Sequence, residues 1–202
     1  MLTALSYPGE PIGVPEGQYF AVSTFTVYPL SRGHIHITGP NPGDPVDFDN
    51  GFFTDENGID VLKHRWAYKT QREITRRMAV FRGEYAPDHP PFPTGSKAAC
   101  VDLDGPPTAD IQNVEYTDED DAIIDDWVRK RVGSAWHSLG TCKMAPLEKN
   151  GVVDPSLSVH GLQGLKLADL SVVPKNFAAN TNHTALVIGE KAADIFIKEL
   201  GL

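Results

Sequence analysis

The sequence has few cysteines, no long apolar run and no excess of basic charge. Its 202 residues include two cysteines without a Cys-x-x-Cys spacing, so a disulfide framework is not expected and a reducing compartment fits better. No apolar stretch approaches the roughly 20 residues that a transmembrane helix needs. The formal net charge of −9 argues against nucleic-acid binding, since phosphate backbones are held by clustered lysine and arginine.

Two sequence signals are also missing. No positively charged and apolar leader follows Met1, so the sequence predicts an intracellular protein. No Gly-x-Gly-x-x-Gly fingerprint occurs, although this is the turn on which dinucleotide-binding domains hold a pyrophosphate. The composition, 41% hydrophobic and 22% charged, is that of an ordinary globular protein.

The first half of the chain predicts an antiparallel pair of strands followed by a long helix. Residues 1–18 are rich in proline and glycine and predict an extended lead-in. Partial alternation predicts strands at 19–28 and 34–38 that pair with each other. Residues 39–53 form a turn-dense loop, and helical spacing of apolar residues predicts a helix over 57–78.

The second half of the chain predicts two more helices and a buried strand. The proline-rich stretch 83–113 predicts a long irregular segment. Thr117 and the acidic residues after it predict a helix start. A run from Gly164 to Pro174 predicts a buried strand, and 183–200 predicts a terminal helix with a buried stripe. The residues of this predicted stripe are Ala185, Leu186, Ile188, Ala192, Ile195 and Phe196.

His137 is the sharpest candidate for chemistry. It lies in the stretch Trp136-His137-Ser138-Leu139-Gly140, where small residues leave space beside an imidazole. A histidine titrates near working pH and can take a proton from an alcohol. A structural histidine is the alternative for this stretch considered alone.

Asn180 is the second candidate. Its amide can donate a hydrogen bond to a substrate oxygen, but Asn180, Thr181 and Asn182 are also residue types that cap helices. His183 follows within the first helical turn and is expected to be structural. His34 and His36 share one strand face, but no third ligand accompanies them at metal spacing, so solvated histidines are expected there.

These motifs together resemble the C-terminal signature of the glucose-methanol-choline (GMC) flavin oxidoreductases, closest to the fungal alcohol oxidase branch. The resemblance rests on the Trp136–Gly140 stretch, the run ending in Asp169-Leu170 and Pro174, and Asn180-Thr181. Tyr28–Gly33 and Trp66–Lys69 are similar to segments of the family's substrate domain.

The resemblance implies a mixed α+β fold with an antiparallel sheet covered by helices, together with the last strand and helix of an FAD-binding domain. It divides the chain into the lead-in 1–18, a substrate-binding domain at 19–135 and a C-terminal active-site segment at 136–202.

For chemistry, the resemblance implies oxidation of a primary alcohol to an aldehyde with FAD, reoxidised by dioxygen to give hydrogen peroxide. His137 would be the base and Asn180 the group that holds the substrate oxygen. The residues implied to contact FAD are Trp136, Asp169, Leu170, Asn180 and Thr181. The dinucleotide-binding portion would come from a separate N-terminal domain or chain. A small alcohol is the expected partner, nucleic acid and membrane are not, and a homo-oligomer stays open.

Two other functions remain to be weighed. One is a non-catalytic binding or assembly module that does not hold FAD by itself. The other, more distant, is a metal hydrolase built on His34, His36 and an acid. The expected location is cytoplasmic or peroxisomal.

Overall fold

The computed structural model describes residues 17–202, so most of the lead-in predicted for residues 1–18 lies outside the described residues. The chain is divided into two compact units. One includes residues 52–135 and the described residues up to Thr26, and the other includes residues 27–51 and 136–202. The functional division at residues 18 and 135 stays a prediction.

Two helices build the core of the first unit. The helix α1 spans Ile59–Arg76 and the helix α2 spans Asp118–Arg131. Tyr68 of α1 packs in one buried cluster with three residues of α2, namely Ile124, Trp127 and Val128. The predicted helix at 57–78 is confirmed to within two residues at each end.

The start of α2 is fixed by a capping box, as its sequence predicts. The Thr117 Oγ1 atom accepts the N–H of Asp120 at 3.2 Å, and the Thr117 N–H donates to Asp120 Oδ2 at 2.9 Å. This reciprocal pair satisfies two backbone donors, and acids in the first turn match the positive end of the helix dipole.

A buried arginine holds the irregular segment between the two helices. The Arg72 side chain of α1 is buried and donates twice to Glu84, from Nε to Oε1 at 2.5 Å and from Nη2 to Oε2 at 2.7 Å. Its Nη1 atom also donates to the carbonyl of Ala98 at 2.8 Å. Since one side chain binds both ends of the stretch 84–98, that stretch keeps a defined course, and its one short helix is the 3-10 turn Ala86–Asp88.

His64 of α1 is a second buried ionisable group in this unit. Its ring meets the edge of Phe53, with 5.6 Å between the ring centroids. Burial lowers the pKa of His64 from the ordinary 6.5 to about 4, because a desolvated imidazole resists protonation. The side chain is therefore neutral in the folded protein at pH values where the unfolded chain binds a proton.

The second unit contains a two-stranded antiparallel sheet, but its partners differ from those predicted. The strand β1 (His34–Ile37) pairs with β2 (Val46–Asp49), and residues 19–28 form no strand beyond an isolated bridge at Thr24. The second strand follows a loop containing several turn residues, which hid it in the sequence. The register places four apolar side chains on one face, namely Ile35, Ile37, Val46 and Phe48.

The expectation of a sheet covered by helices is wrong for this unit. Every residue of β1 and β2 is exposed. In the range 27–51 and 136–202, the helix α3 (Asn182–Leu200) packs against the stretch around Val172 and makes no contact with either strand. The architecture is therefore mixed α and β, with three helices and one small antiparallel sheet among the described residues.

The core of the second unit lies between α3 and the preceding loops. Val153, Leu157, Val172 and Ala192 are its buried members. The strand predicted from Gly164 to Pro174 is absent, because these residues make single bridges and a 3-10 helix, Leu170–Val172, instead of a ladder. Of the predicted buried stripe of α3, only Ala192 is buried, while Ile188, Ile195 and Phe196 are half-buried against the same core. Ala185 is also half-buried, and Leu186 is 61% exposed.

None of the helices within residues 17–202 combines the length and the apolar character that crossing a bilayer requires.

The buried arginine gives the first prediction. Replacing Arg72 with methionine leaves the Glu84 carboxylate buried without its cation, so we expect the free energy of unfolding to fall by about 3–5 kcal/mol. Urea denaturation followed by circular dichroism measures this loss. The double variant Arg72→Met, Glu84→Leu should recover most of it.

The exposed pair Lys130–Asp126 provides the control. The variant Lys130→Met should change the free energy of unfolding by less than about 1 kcal/mol. Equal losses in Lys130→Met and Arg72→Met would show that burial of the charge does not set the cost.

The neutral state of His64 gives the second prediction. Because the unfolded chain binds a proton below about pH 6.5 and the folded chain only below about pH 4, stability should fall as the pH decreases through this window. The variant His64→Gln should lose this part of the pH dependence. Unfolding free energies measured between pH 7 and pH 4 compare the two, with His183→Gln as the exposed control. A His64→Gln curve parallel to the wild-type curve would contradict the assignment.

Candidate active site

The loop that carries His137 is fixed by backbone hydrogen bonds to the 3-10 helix Leu170–Val172. Three N–H groups of the loop donate to three successive carbonyls. The pairs are Gly140 to Leu170 at 3.2 Å, Cys142 to Ser171 at 2.9 Å and Met144 to Val172 at 2.7 Å. These bonds hold the two segments side by side.

The backbone of this loop has two residues in the left-handed region. Gly140 has a φ of 83°, and a Cβ atom there would lie 3.1 Å from the carbonyl oxygen of Val173. Glycine is therefore required for the close approach. Trp136 has a φ of 57° and is 63% exposed. A bulky residue in this conformation is strained, and strained residues concentrate at functional sites.

The helix α3 begins beside the same loop because its apolar side is buried next to the 3-10 helix. Val172 and Ala192 share the core of the unit, with Ile188 packed against them. The chain between Val172 and α3 is short, so the first residues of the helix come close to His137.

His137 contacts two consecutive residues at the start of α3. Its Nε2 atom lies 3.0 Å from Asn180 Oδ1, and its Nδ1 atom lies 2.9 Å from Thr181 Oγ1. The roles implied for His137 and Asn180 require one substrate hydroxyl to reach both side chains, and the structure brings them together across 43 residues of sequence. A single substrate oxygen bound beside this pair could exchange hydrogen bonds with both side chains.

Asp169 and Leu170 each make a hydrogen bond that stabilises the local backbone. The Asp169 Oδ1 atom accepts the N–H of Ser171 at 2.7 Å and so caps the 3-10 helix. The Leu170 carbonyl accepts the Gly140 N–H. Leu170 is thereby bonded to the His137 loop directly, and Asp169 is linked to it through the 3-10 helix that it caps. The role of both residues in holding a cofactor stays a prediction.

The start of α3 differs from the start of α2 in how its backbone donors are satisfied. Thr181 is the N-cap residue of α3, yet no side chain caps this end and no acidic residue lies in the first turn. In α2 the corresponding end has both a capping box and acids. The positive end of α3 therefore remains available for an anionic or carbonyl-rich ligand.

The other histidines considered from the sequence, which are His34, His36 and His183, have different surroundings. His183 lies in the first turn of α3 and is exposed. His34 stacks on His36 and contacts Asp47 at 3.4 Å. No group of three histidine, cysteine or acidic side chains within residues 17–202 is arranged to bind a metal, so the metal hydrolase hypothesis gains no support.

Sequence reasoning missed one functional contact, the hydroxyl of Thr181. The family resemblance implies that Thr181 contacts the cofactor, whereas in the structure its side chain binds the imidazole of His137. The only available signal was a threonine directly after Asn180, and a threonine before a helix ordinarily indicates a cap.

Comparisons with known proteins identify the family to which the chain belongs. A family model described as GMC oxidoreductase matches residues 29–189. The alcohol oxidase of Pichia angusta is 39% identical over an alignment of 237 positions, which covers 96% of this chain and 35% of that protein. The choline oxidase of Arthrobacter globiformis is 29% identical and covers 87% of this chain and 28% of that protein.

Solved structures give the same result. An FAD-dependent oxidoreductase from Chaetomium thermophilum superposes with a TM-score of 0.63 at 29% identity, over 87% of this chain and 26% of that chain. A fungal aryl-alcohol oxidase superposes with a TM-score of 0.60 at 28% identity, over 87% of this chain and 25% of that chain. The chain spans about a third of the length of the alcohol oxidases that it matches. It belongs to the GMC oxidoreductase family.

Proposed function

We propose that the protein containing this chain is an FAD-dependent oxidoreductase that converts a primary alcohol into an aldehyde. The observation that carries the proposal is the pairing of His137 Nε2 with the Asn180 side chain at 3.0 Å. The imidazole is half-buried and the amide beside it is exposed. Together they match the two tasks of alcohol oxidation, which are removing the hydroxyl proton and holding the oxygen.

His137 would serve as the proton acceptor. Oxidation of an alcohol removes one proton from the hydroxyl and one hydride from the carbinol carbon, and leaves a carbonyl. The Nε2 atom of His137 points toward Asn180 and away from Thr181, so a hydroxyl bound beside Asn180 lies within reach of it. A base placed in this way typically accelerates proton transfer by about 10²–10⁴-fold.

Asn180 would hold the substrate oxygen. Its NH2 group can donate to the oxygen as negative charge develops, and an amide does not compete with His137 for the proton. Rotation of the amide by 180° exchanges its oxygen and nitrogen without moving the rest of the side chain. Asn180 is exposed, so this rotation has room.

The residues around His137 fit a flavin. Bound FAD would supply the acceptor for the hydride. The first turn of α3 offers backbone N–H groups that no side chain caps, and such a helix start suits the carbonyl-rich end of a flavin ring. Trp136, Asp169, Leu170, Asn180 and Thr181 are the residues that we propose to line it.

The names of the relatives support this choice of chemistry. Proteins similar to this chain are named alcohol oxidase, choline oxidase and fungal aryl-alcohol oxidase, and all three names describe oxidation of an alcohol. The term oxidase favours dioxygen as the final electron acceptor, with hydrogen peroxide as the product.

The base gives a kinetic prediction. In a flavin-loaded protein that contains this chain, His137→Ala should slow reduction by alcohol by about 10²–10⁴-fold, since the proton acceptor is lost. Stopped-flow absorbance of the flavin measures this rate. The control His183→Ala removes an exposed histidine from the next turn and should change the rate little. Equal losses in the two variants would mean that His137 is not the base.

The missing fingerprint gives a binding prediction. The 202-residue chain by itself should not retain stoichiometric FAD through gel filtration, because its sequence has no Gly-x-Gly-x-x-Gly turn to hold the pyrophosphate. The ratio of flavin to protein absorbance in the eluted peak measures retention. A one-to-one ratio would contradict the expectation and would place a complete FAD site within this chain.

A further inference from the structure

We infer that Thr181 is a positioning residue for His137, and that its hydroxyl holds the imidazole through Nδ1, as donor or as acceptor, in either neutral form of the ring. The inference deepens the proposed function, because it concerns how the base is prepared. It rests on the contact between Thr181 Oγ1 and His137 Nδ1 at 2.9 Å.

The first argument is that Thr181 gives up the interaction that its position favours. A threonine at a helix N-cap normally accepts a backbone N–H of the first turn, and this bond stabilises the helix. Thr117 does this in α2. Thr181 has the same position in α3 but makes no capping bond. Its hydroxyl is turned toward His137 instead.

The second argument is burial. Thr181 is 4% exposed, so water does not readily replace a lost partner of its hydroxyl. A buried polar group that loses its hydrogen bond destabilises the folded state, because water no longer solvates it. The His137 ring and the Thr181 hydroxyl therefore stabilise each other's position, whereas a solvent-exposed pair would contribute little.

The third argument is the proton arrangement. A neutral imidazole carries one N–H, and its other nitrogen accepts. With Asn180 Oδ1 facing Nε2 at 3.0 Å, the ring proton belongs on Nε2 and the Thr181 hydroxyl donates to Nδ1. The three groups then form a continuous series of hydrogen bonds, from the Thr181 hydroxyl through the ring to Asn180.

The Thr181 hydroxyl can also bind the ring in the form in which His137 accepts a proton from an alcohol. For Nε2 to accept a proton from an alcohol, the neutral ring must carry its hydrogen on Nδ1, and Thr181 Oγ1 must accept it. A hydroxyl can reverse its role by rotating about one bond. A carboxylate could only accept, and an aliphatic side chain could do neither. Threonine is thus suited to hold the ring while Asn180 turns and substrate enters.

Nitrogen-15 NMR of the 202-residue chain tests the contact without flavin. Spectra that correlate ring carbon protons with ring nitrogens identify the protonated nitrogen of His137, at a pH where imidazole is neutral. In the wild type we expect hydrogen on Nε2 and an Nδ1 signal displaced by an accepted hydrogen bond. In Thr181→Val the Nδ1 signal should shift downfield, toward that of an unbonded nitrogen.

Two further variants separate the hydroxyl from the shape of the side chain. Thr181→Ser keeps the hydroxyl and should retain the wild-type Nδ1 signal. Thr184→Val makes the same chemical change one turn further along α3 and should leave the signal in place. If Thr181→Val does not fold, Thr181→Ala replaces it. An unmoved Nδ1 signal in the Val or Ala variant, or a serine variant displaced as far as valine, overturns the inference.

Kinetics test the positioning role in the flavin-loaded protein. Thr181→Val should slow flavin reduction by alcohol by about 10–100-fold, the usual cost of removing the partner that orients a functional histidine, and Thr181→Ser should restore most of the rate. A shifted Nδ1 signal with an unchanged rate overturns the positioning role. An unchanged rate in His137→Ala is a different result, since it overturns the proposed function itself.

Discussion

Three backbone hydrogen bonds between the His137 loop and the 3-10 helix Leu170–Val172 are the constraint on which the candidate site depends. They place two segments of irregular chain in parallel. Apart from this 3-10 helix of three residues, neither segment has a helix or a strand ladder that would hold it alone. Without these bonds, His137 would lie on an untethered loop, and a base must be held within a fraction of an ångström to act in catalysis.

The core of the second unit completes this arrangement. Val172 carries the last of the bonded carbonyls, and its side chain packs with Ala192 of α3. The same residue therefore joins the loop and the helix, and so sets where Asn180 and Thr181 lie at the entry to α3. The geometry of the candidate site is a consequence of apolar burial on one side of α3, while the residues proposed to carry the chemistry lie at the N-terminal end of that helix.

Two departures from local rules lie beside His137, although left-handed residues also occur elsewhere, at Phe53, Asn150 and Leu157. Thr117 caps α2 and acids follow it, as propensity predicts. At the corresponding end of α3 the cap is unused, and the loop nearby contains a tryptophan in the left-handed region. Both departures cost free energy. Sequences depart from local rules mainly where function requires it, and here the two departures flank His137.

The sequence by itself determined the three helices, the capped start of α2 and the candidate residues of the site, because helical periodicity, capping residues and short motifs are local properties. Tertiary structure decided the rest. Whether β1 pairs with residues 19–28 or with Val46–Asp49 depends on contacts that no single strand encodes. The run before Pro174 has strand-like composition but makes one isolated bridge, Lys166 with Ser158, and a 3-10 helix in place of a ladder. The bond between His137 and Thr181 joins residues 44 positions apart, and only the packing of α3 against Val172 could reveal it.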